Sequence, residues 1–558
     1  MSEGQMLEAV DLSQITDPVA RRIVDTLVQI IEAQAAEITA LKVSVQQLRD
    51  ENNRLKGEQG KPTIRPQPPR RDHSSEQERP ADPRPPPPRV ESHLLVVDRE
   101  EVCRVDPDTL PADATFKGHE PFVVQDVVLH TDTVRYLREK WYASSTGRTY
   151  LAALPAGIRD HFGPQVKALA LVLSHVSGVS EPQILRLLGS VGLQVSAGTL
   201  SAWLTDDVQP LHDEADAVYA AGLASSPWQQ IDDTSTRVNG INQHCQVVCN
   251  PLYTSYHTTP AKDRLTVIDL LRPGQEGTYL VDAVALDGLA AVGVSARVQE
   301  QVGHLPRDQV VDDATLARWL DNLQPPPGPQ QRRRIAEALA LAAYQAQTMV
   351  PVVALLVCDD AGQFVGVTRD RALCWVHDAR HYKKLTPVVP ANHERLRDFM
   401  TDYWAFYGAL LAYRTQPTAP DADRLRTAFV ALFSTTTGYP ALDERIAKTR
   451  AHQQELLQVL DHPELPLHNN RAELGARRRV RKRDVSFGPR TSAGAKAWDT
   501  LQTLAATAQQ HGVNALHYLY DRVSGTYQLP SLASLVAQGA TPLSLGASWN
   551  ADSPTPAL

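Results

Sequence analysis

Cysteine is scarce in this sequence. Five cysteines, at 103, 245, 249, 358 and 374, are too few and too scattered to form a disulfide framework, and they fit a reducing compartment. Nor does any stretch approach the ~18–20 consecutive apolar residues that a membrane span requires. The opening MSEGQMLEAVDLSQ has neither the basic flank nor the apolar run of a secretion signal. A cytoplasmic protein without membrane contact is the expectation. A basic surplus is missing as well, since the formal net charge is −8. Spread evenly, that charge would argue against nucleic acid. Two stretches are nevertheless locally basic, and contact with phosphates depends on distribution rather than on the sum. What is present is an ordinary globular balance, 42% hydrophobic and 22% charged, over 558 residues. That length suggests about three to four structural units.

The first unit is a heptad repeat. Val24, Ile31, Ile38, Val45 and Asn52 occupy a positions, and Leu27, Gln34, Leu41, Leu48 and Leu55 occupy d. β-Branched residues at a with leucine at d predict a parallel two-stranded coiled coil over 19–56, with Asn52 setting register. The competing reading is an amphipathic helix packed on its own protein. The proline- and arginine-rich residues 57–93 that follow favour self-association, as a homodimer or higher assembly, because such a linker offers no surface to pack on. Residues 94–150 alternate β-rich runs with turns and predict a small β-module. Residues 151–226 read as helical. Within them Ser180 and Pro182 start one helix, Gly192 breaks it and Ser196 starts another. That pattern fits a helix-turn-helix DNA-binding region, although many ordinary helical pairs share it.

From residue 227 strands predominate: WQQIDDTSTRV, HCQVVCNPLY and TSYHTTP, then the apolar MVPVVALLVCDD, which has the texture of a buried central strand. Residues 262–346 and 385–465 read as insertions, the second of them helical. A helical region over 491–528 and an irregular tail over 529–558 close the chain.

Carboxylates stand at telling places. Asp232 and Asp233 end one strand, Asp359 and Asp360 end the apolar one, and Glu473 starts a helix that becomes strongly basic. Carboxylates at neighbouring strand ends, joined by one from a helix, can converge on a pair of Mg²⁺ ions, the arrangement that phosphodiester chemistry uses. Each also has a plainer reading: a turn for Asp232-Asp233, a capping box for Asn470 and Glu473, a solvated face for the basic run. Cys245, Cys249, Cys374 and His377 are a conceivable but irregularly spaced zinc set.

Taken together, IDDTSTRV, LVCDDAGQF with CWVHDARHYKKL, and LPLHNNRAELGARRRVRKRDVSFGP resemble the blocks of the IS-sixty-six (IS66) family of bacterial insertion-sequence transposases, and the likeness covers most of the chain. The resemblance implies an α/β fold with an RNase H-like catalytic core spanning 227–490, a mixed sheet and helical insertion. It implies DDE chemistry, in which DNA is cleaved and strand transfer joins transposon ends to target DNA. Asp232 (rather than Asp233), Asp359 and Glu473 become the catalytic carboxylates and ligands of two Mg²⁺ ions, with Mn²⁺ able to substitute. Arg477, Arg478, Arg479, Arg481, Lys482 and Arg483 become DNA-backbone contacts, with His377 and Arg380 near the phosphate. The helix-turn-helix becomes the reader of the terminal repeats, and accessory proteins become possible partners. The chain departs from the family in three respects. Only Cys103 lies in 94–150, so the paired-cysteine zinc module is degenerate. Residues 262–346 form a longer segment than usual, and Leu474 stands where arginine is common. The alternative is a decayed or domesticated transposase that binds DNA without cutting it.

Overall fold

A computed structural model describes residues 97–540, apart from 112, 113, 121, 128, 156 and 159, together with scattered positions between 17 and 48. The linker over 57–93, the heptad positions Asn52 and Leu55, and the chain beyond 540 lie outside the described residues. The described positions from 19 to 48 are helical, and Leu27, Ile31, Ile38, Leu41, Val45 and Leu48 of the heptad seam are exposed.

The β-module expected over 94–150 shrinks to one hairpin. From 97 to 139 the described residues form only a 3₁₀ turn at Pro107–Thr109. Strands follow as β1 (Lys140–Ala143) and β2 (Arg148–Leu151), paired antiparallel. β-Propensity measures the fit to a pleated, half-buried surface, and the VVQDVVLH run has no such surface among the described residues.

A helical layer comes next: α1 (Pro164–His175), α2 (Glu181–Ser190), α3 (Ala197–Thr205) and α4 (Gln209–Ala224). The Ser180 amide donates to the Gln183 side chain at 3.2 Å, and Ser196 Oγ accepts from the Thr199 amide at 3.0 Å. At α2 the Gln183 side chain thus satisfies the N-cap amide, and at α3 the Ser196 hydroxyl satisfies an end amide of the helix. Leu171, Ile184, Leu188, Leu200 and Trp203 fill the space between them.

The central sheet opens with a meander, β3 (Trp228–Val238), β4 (Ile241–Asn250) and β5 (Tyr253–Thr259). Asn239 and Gly240 turn the first hairpin with φ of 50° and 79°, left-handed values that an Asn-Gly pair tolerates. An inserted unit follows, comprising α5 (Arg264–Leu270), β6 (Thr278–Leu280), α6 (Ala283–Ala291), α7 (Ala296–Gly303), β7 (Val310–Asp312), α8 (Asp313–Asp321) and α9 (Pro329–Gln345). The chain then returns as β8 (Leu355–Cys358) and β9 (Asp370–Leu373), both parallel to β3. All four residues of β8 are buried, as a central parallel strand requires. The five-stranded order is β5-β4-β3-β8-β9, a mixed sheet compatible with an RNase H-like core.

Beyond β9 lie α10 (Trp375–Lys383), α11 (Pro390–Thr415), α12 (Ala419–Leu432) and α13 (Pro440–Ala451). Their shared core is aromatic, with the Trp375 ring against Tyr403, Phe406, Phe429 and Phe433. The chain then crosses back to the sheet through α14 (Asn470–Ser486) and α15 (Ser492–Gln510), and ends in α16 (Ala515–Ser524) and α17 (Leu532–Gly539). The tail expected from 529 is thus ordered as far as α17, because Leu532 and Val536 are fully buried.

α15 runs beside β5, the edge strand. The amides of Thr254, Tyr256 and Thr258 donate to Thr507 Oγ1, Thr503 Oγ1 and Asp499 Oδ2 at 3.4, 3.0 and 2.6 Å. The spacing matches for a geometric reason. Four helical residues rise about 6 Å, close to the roughly 6.6 Å covered by two strand residues.

α14 lies across β3 and β4 at Gly475. A Cβ there would stand 2.7 Å from Val247 Cγ1. Gly475→Ala is therefore expected to lower stability by about 1–3 kcal/mol, measured as a shift of the denaturant midpoint at unchanged slope.

Candidate active site

Strand register sorts the two neighbouring aspartates. Asp232 pairs across the ladder with Val247 and Asp233 with Gln246. Cross-strand partners share a face, and Val247 is the residue beneath Gly475 of α14. Asp232 therefore points toward α14, and Asp233 points the other way. There Asp233 accepts from Lys262 Nζ at 3.1 Å and Gln363 Nε2 at 3.0 Å.

The parallel neighbour brings in the second carboxylate. Gln230 pairs with Val357, so Asp232 and Asp359, each two residues further on, stand at the same level of adjacent strands. Asp359 Oδ1 accepts from the Ala361 amide at 3.1 Å. Glu473, in the first turn of α14, supplies the third carboxylate from above and is buried. Burial, and after it the negative charges of Glu473 and Asp359, push the Asp232 carboxyl up to about 7, against the opposing hydrogen bond from the Asp233 amide.

The loop before α14 fixes this placement. Asn469 Nδ2 donates to Ile231 O at 2.7 Å, the Asn469 amide donates to Cys374 Sγ at 3.2 Å, and Gln230 Nε2 donates to His468 O at 3.0 Å. The helix start is thereby tied to the strand that carries Asp232. The capping-box reading of Asn470 and Glu473 does not hold. Asn469 is the N-cap residue and makes no side-chain capping bond, while Glu473 turns toward α10. There Arg380 Nη2 donates to Glu473 Oε2 at 2.7 Å, and Arg380 Nη1 lies 2.8 Å from His377 Nε2. His377 Nδ1 lies 3.5 Å from Glu473 Oε1. Burial, assisted by Arg380, holds His377 below its ordinary value against the pull of Glu473, so the imidazole is neutral near pH 7. His377 and Arg380, expected near the phosphate, are engaged with Glu473.

Glu473 Oε1 and Asn469 Oδ1 are buried with no hydrogen-bond partner. Oxygens of this kind are the donors that a hard divalent cation takes, but among the described residues neither Asp232 nor Asp359 belongs to a group of three ligand atoms within 4.8 Å of one another. Cys374, His377 and Glu473 place one ligand atom each within 4.8 Å of one another. Cys245 and Cys249 are absent from that group, and Cys245 packs with Val247, Tyr256, Ala476 and Ala506. The four-ligand zinc set conceivable from the sequence is therefore not assembled.

The basic run on α14 divides by helical period. Arg477, Arg478 and Arg481 are exposed and Arg483 is half-buried. Arg479 and Lys482, expected among the DNA contacts, point inward instead. Arg479 is 0% exposed, pairs with Asp499 and sits 5.6 Å from the ring centres of both Tyr256 and Trp498. Lys482 donates to Ser174 O at 2.6 Å and Ser174 Oγ at 2.8 Å, and burial pushes its ammonium down to about 8. The sequence held a signal for this: Ala472, Gly475, Ala476, Arg479 and Lys482 recur at helical spacing on one face. On the helix-turn-helix candidate, α3 reads AGTLSAWLT, carries no cation and is followed by Asp206 and Asp207.

The insertion supplies a wall beyond Asp233. His244, Lys262, Arg264, Arg333, Glu337 and Gln363 are among the residues lining a cavity of about 430 Å³.

Residues 332–497 match the family model described as "Transposase IS66 family". An uncharacterized protein of Sinorhizobium fredii, y4jO, is 35% identical over 325 residues, which cover 57% of this chain and 98% of that protein. The family match encloses Asp359, Glu473 and α10, and Asp232 lies before it.

The division of the basic run has a direct test. Arg477→Ala with Arg481→Ala is expected to weaken DNA binding and flatten its salt dependence by a slope of about 2, whereas Lys482→Met leaves both unchanged. Fluorescence anisotropy across a salt series reads this out.

Proposed function

The chain belongs to the IS66 family of transposases, and from that premise we propose that it cuts and rejoins insertion-sequence DNA through Asp232, Asp359 and Glu473 as ligands of divalent cations. The observation that carries the proposal is the register that sets Asp232 and Asp359 at the same level of neighbouring chain segments, with Glu473 of α14 over the face that Asp232 shares and its Oε1 without a hydrogen-bond partner. Bound there, two Mg²⁺ ions, or Mn²⁺ in their place, would supply charge neutralisation and an activated oxygen nucleophile.

The proposed reaction is hydrolysis at the end of the element, which frees a 3′-hydroxyl. Attack of that hydroxyl on a target phosphodiester then joins the two DNAs. The side chains have separable tasks in it. Asn469 and Gln230 hold the α14 start over β3. Arg380 holds the Glu473 carboxylate in place, and His377 Nε2 lies against the same guanidinium. The exposed Arg477, 3.9 Å from Glu473, and Arg481 meet the DNA backbone. The N-terminal helix, with its exposed seam, pairs protomers so that two DNA ends are held together.

Cleavage of DNA carrying the element's ends, in Mg²⁺ or Mn²⁺, is the test. Asp232→Asn, Asp359→Asn and Glu473→Gln are each expected to lose activity by more than about 100-fold, beyond the 10–100-fold typical of residues that merely support ligands, while DNA binding survives. Asp233→Asn keeps substantial cleavage. If Asp233→Asn is dead and Asp232→Asn cuts, the ligand assignment fails. A wild type that binds ends and never cuts makes the chain a DNA-binding relic. For the proposed pairing, Ile38→Asp with Leu41→Asp is expected to halve the sedimenting mass of the wild-type dimer.

A further inference from the structure

The hairpin β1–β2 is unlike the rest of the surface. Between 135 and 151 the chain reads RYLREKWYASSTGRTYL, with four cations (Arg135, Arg138, Lys140, Arg148) against one anion, Glu139. Trp141 is 68% exposed, Tyr142 69% and Tyr150 54%. Trp141 pairs with Tyr150 across the strands, and Tyr142 pairs with Thr149. Aromatics therefore stand on both faces, because neighbouring residues of a strand alternate sides. Neither face is covered among the described residues. An isolated two-stranded hairpin is marginal in water, and large aromatics left on both of its sides call for a covering partner.

The roots of the hairpin are placed. The Thr131 hydroxyl lies 4.0 Å from where a Cβ on Gly192 would stand, so the incoming chain passes the turn between α2 and α3. The outgoing chain is pinned at Gly157, whose φ is +83° and where a Cβ would stand 2.7 Å from Ser524 O. Only glycine meets both demands.

We infer that the β1–β2 hairpin is a DNA-gripping element, with Arg138, Lys140 and Arg148 on backbone phosphates and Trp141, Tyr142 and Tyr150 stacked on unpaired bases. Cations interleaved with exposed aromatics are the composition that tracks single-stranded nucleic acid: the charges follow the backbone, and each base offers a face to a ring. The net positive charge of the hairpin complements the phosphate backbone of DNA. The inference rests on the reading that the chain acts on DNA and adds the part of the substrate that the hairpin holds, single-stranded DNA at a cut or frayed end.

The test uses the full chain with a labelled blunt duplex and the same duplex carrying a single-stranded 3′ extension. Wild type binds the extended duplex more tightly. Trp141→Ala/Tyr142→Ala/Tyr150→Ala removes that preference, a loss of about tenfold or more, the scale of one stacked base. Arg138→Ala/Lys140→Ala/Arg148→Ala weakens both complexes and, on the extended duplex, flattens the salt slope by about 2.1, three single-strand contacts at about 0.7 each. Trp141→Phe also loses the component of tryptophan quenching that the extended DNA produces. Unchanged thermal melting in every variant excludes misfolding. Affinity for both duplexes equal to that of wild type overturns the inference. So does a smaller sedimenting mass in the aromatic variant at unaltered DNA affinity, which makes the hairpin a contact between copies. Wild type that shows the hairpin effects but never cleaves refutes the catalytic proposal alone, whereas cleavage with inert hairpin variants refutes this one alone.

Discussion

The catalytic proposal depends on a buried ion pair that touches none of the three carboxylates. Arg479, without solvent exposure, pairs with Asp499, which also accepts from the amide and hydroxyl of Thr258. A guanidinium is tolerated in such a place where its charge is met; Asp499 accepts from Arg479 Nη2, while Nε and Nη1 have no hydrogen-bond partner among the described residues. Here the faces of Tyr256 and Trp498 contribute as well. The pair ties α14 to α15 and to β5 together. Because α14 is a rigid helix, Arg479 fixes the height and rotation of Glu473, less than two turns away. The close seat of Gly475 on Val247 removes the remaining freedom. Asp232, whose side of the sheet follows from pairing with Val247, and Glu473, whose position follows from helix packing, thus meet for independent reasons.

Much of this was legible in the sequence where periodicity was strong. The alternating IDDTSTRV block, the four-residue apolar core of VVALLVC and the long helical stretch after 390 correspond to β3, β8 and α11–α13. The two aspartates of β3 were distinguishable from residue pattern only by family resemblance, because alternation alone does not say which face meets the later helix. The basic run was harder. The six cations from Arg477 to Arg483 look alike in composition, yet small residues at 472, 475 and 476 mark the packed face, and Arg479 and Lys482 fall on it.

Other features depend on partners that sequence patterns do not name. The β-rich wording of 97–139 has no second strand among the described residues, and propensity without pairing makes no sheet. Asn470 and Glu473 have the spacing of a capping box, but the side chain of the neighbouring Asn469 is drawn to Ile231 O and the glutamate to Arg380. Long-range hydrogen bonds outweighed a local motif. At the C-terminal end, a short segment with ordinary helical composition became part of the core because Leu532 and Val536 found the surface of α4.

The row of Thr507, Thr503 and Asp499 along β5 has a consequence for higher assembly. An open strand edge invites another chain to extend the sheet, the route by which many proteins aggregate and some deliberately join. Here that edge is already occupied by side chains of the protein's own helix. At the opposite border the β9 residue Arg371 bonds to Glu455 of the helical unit. If several copies meet on DNA, as the proposed function requires, the β5 edge is closed to pairing with a sibling. Any contact between copies at this border would then fall to side chains, which can be specific about partner and orientation in a way that a strand edge cannot.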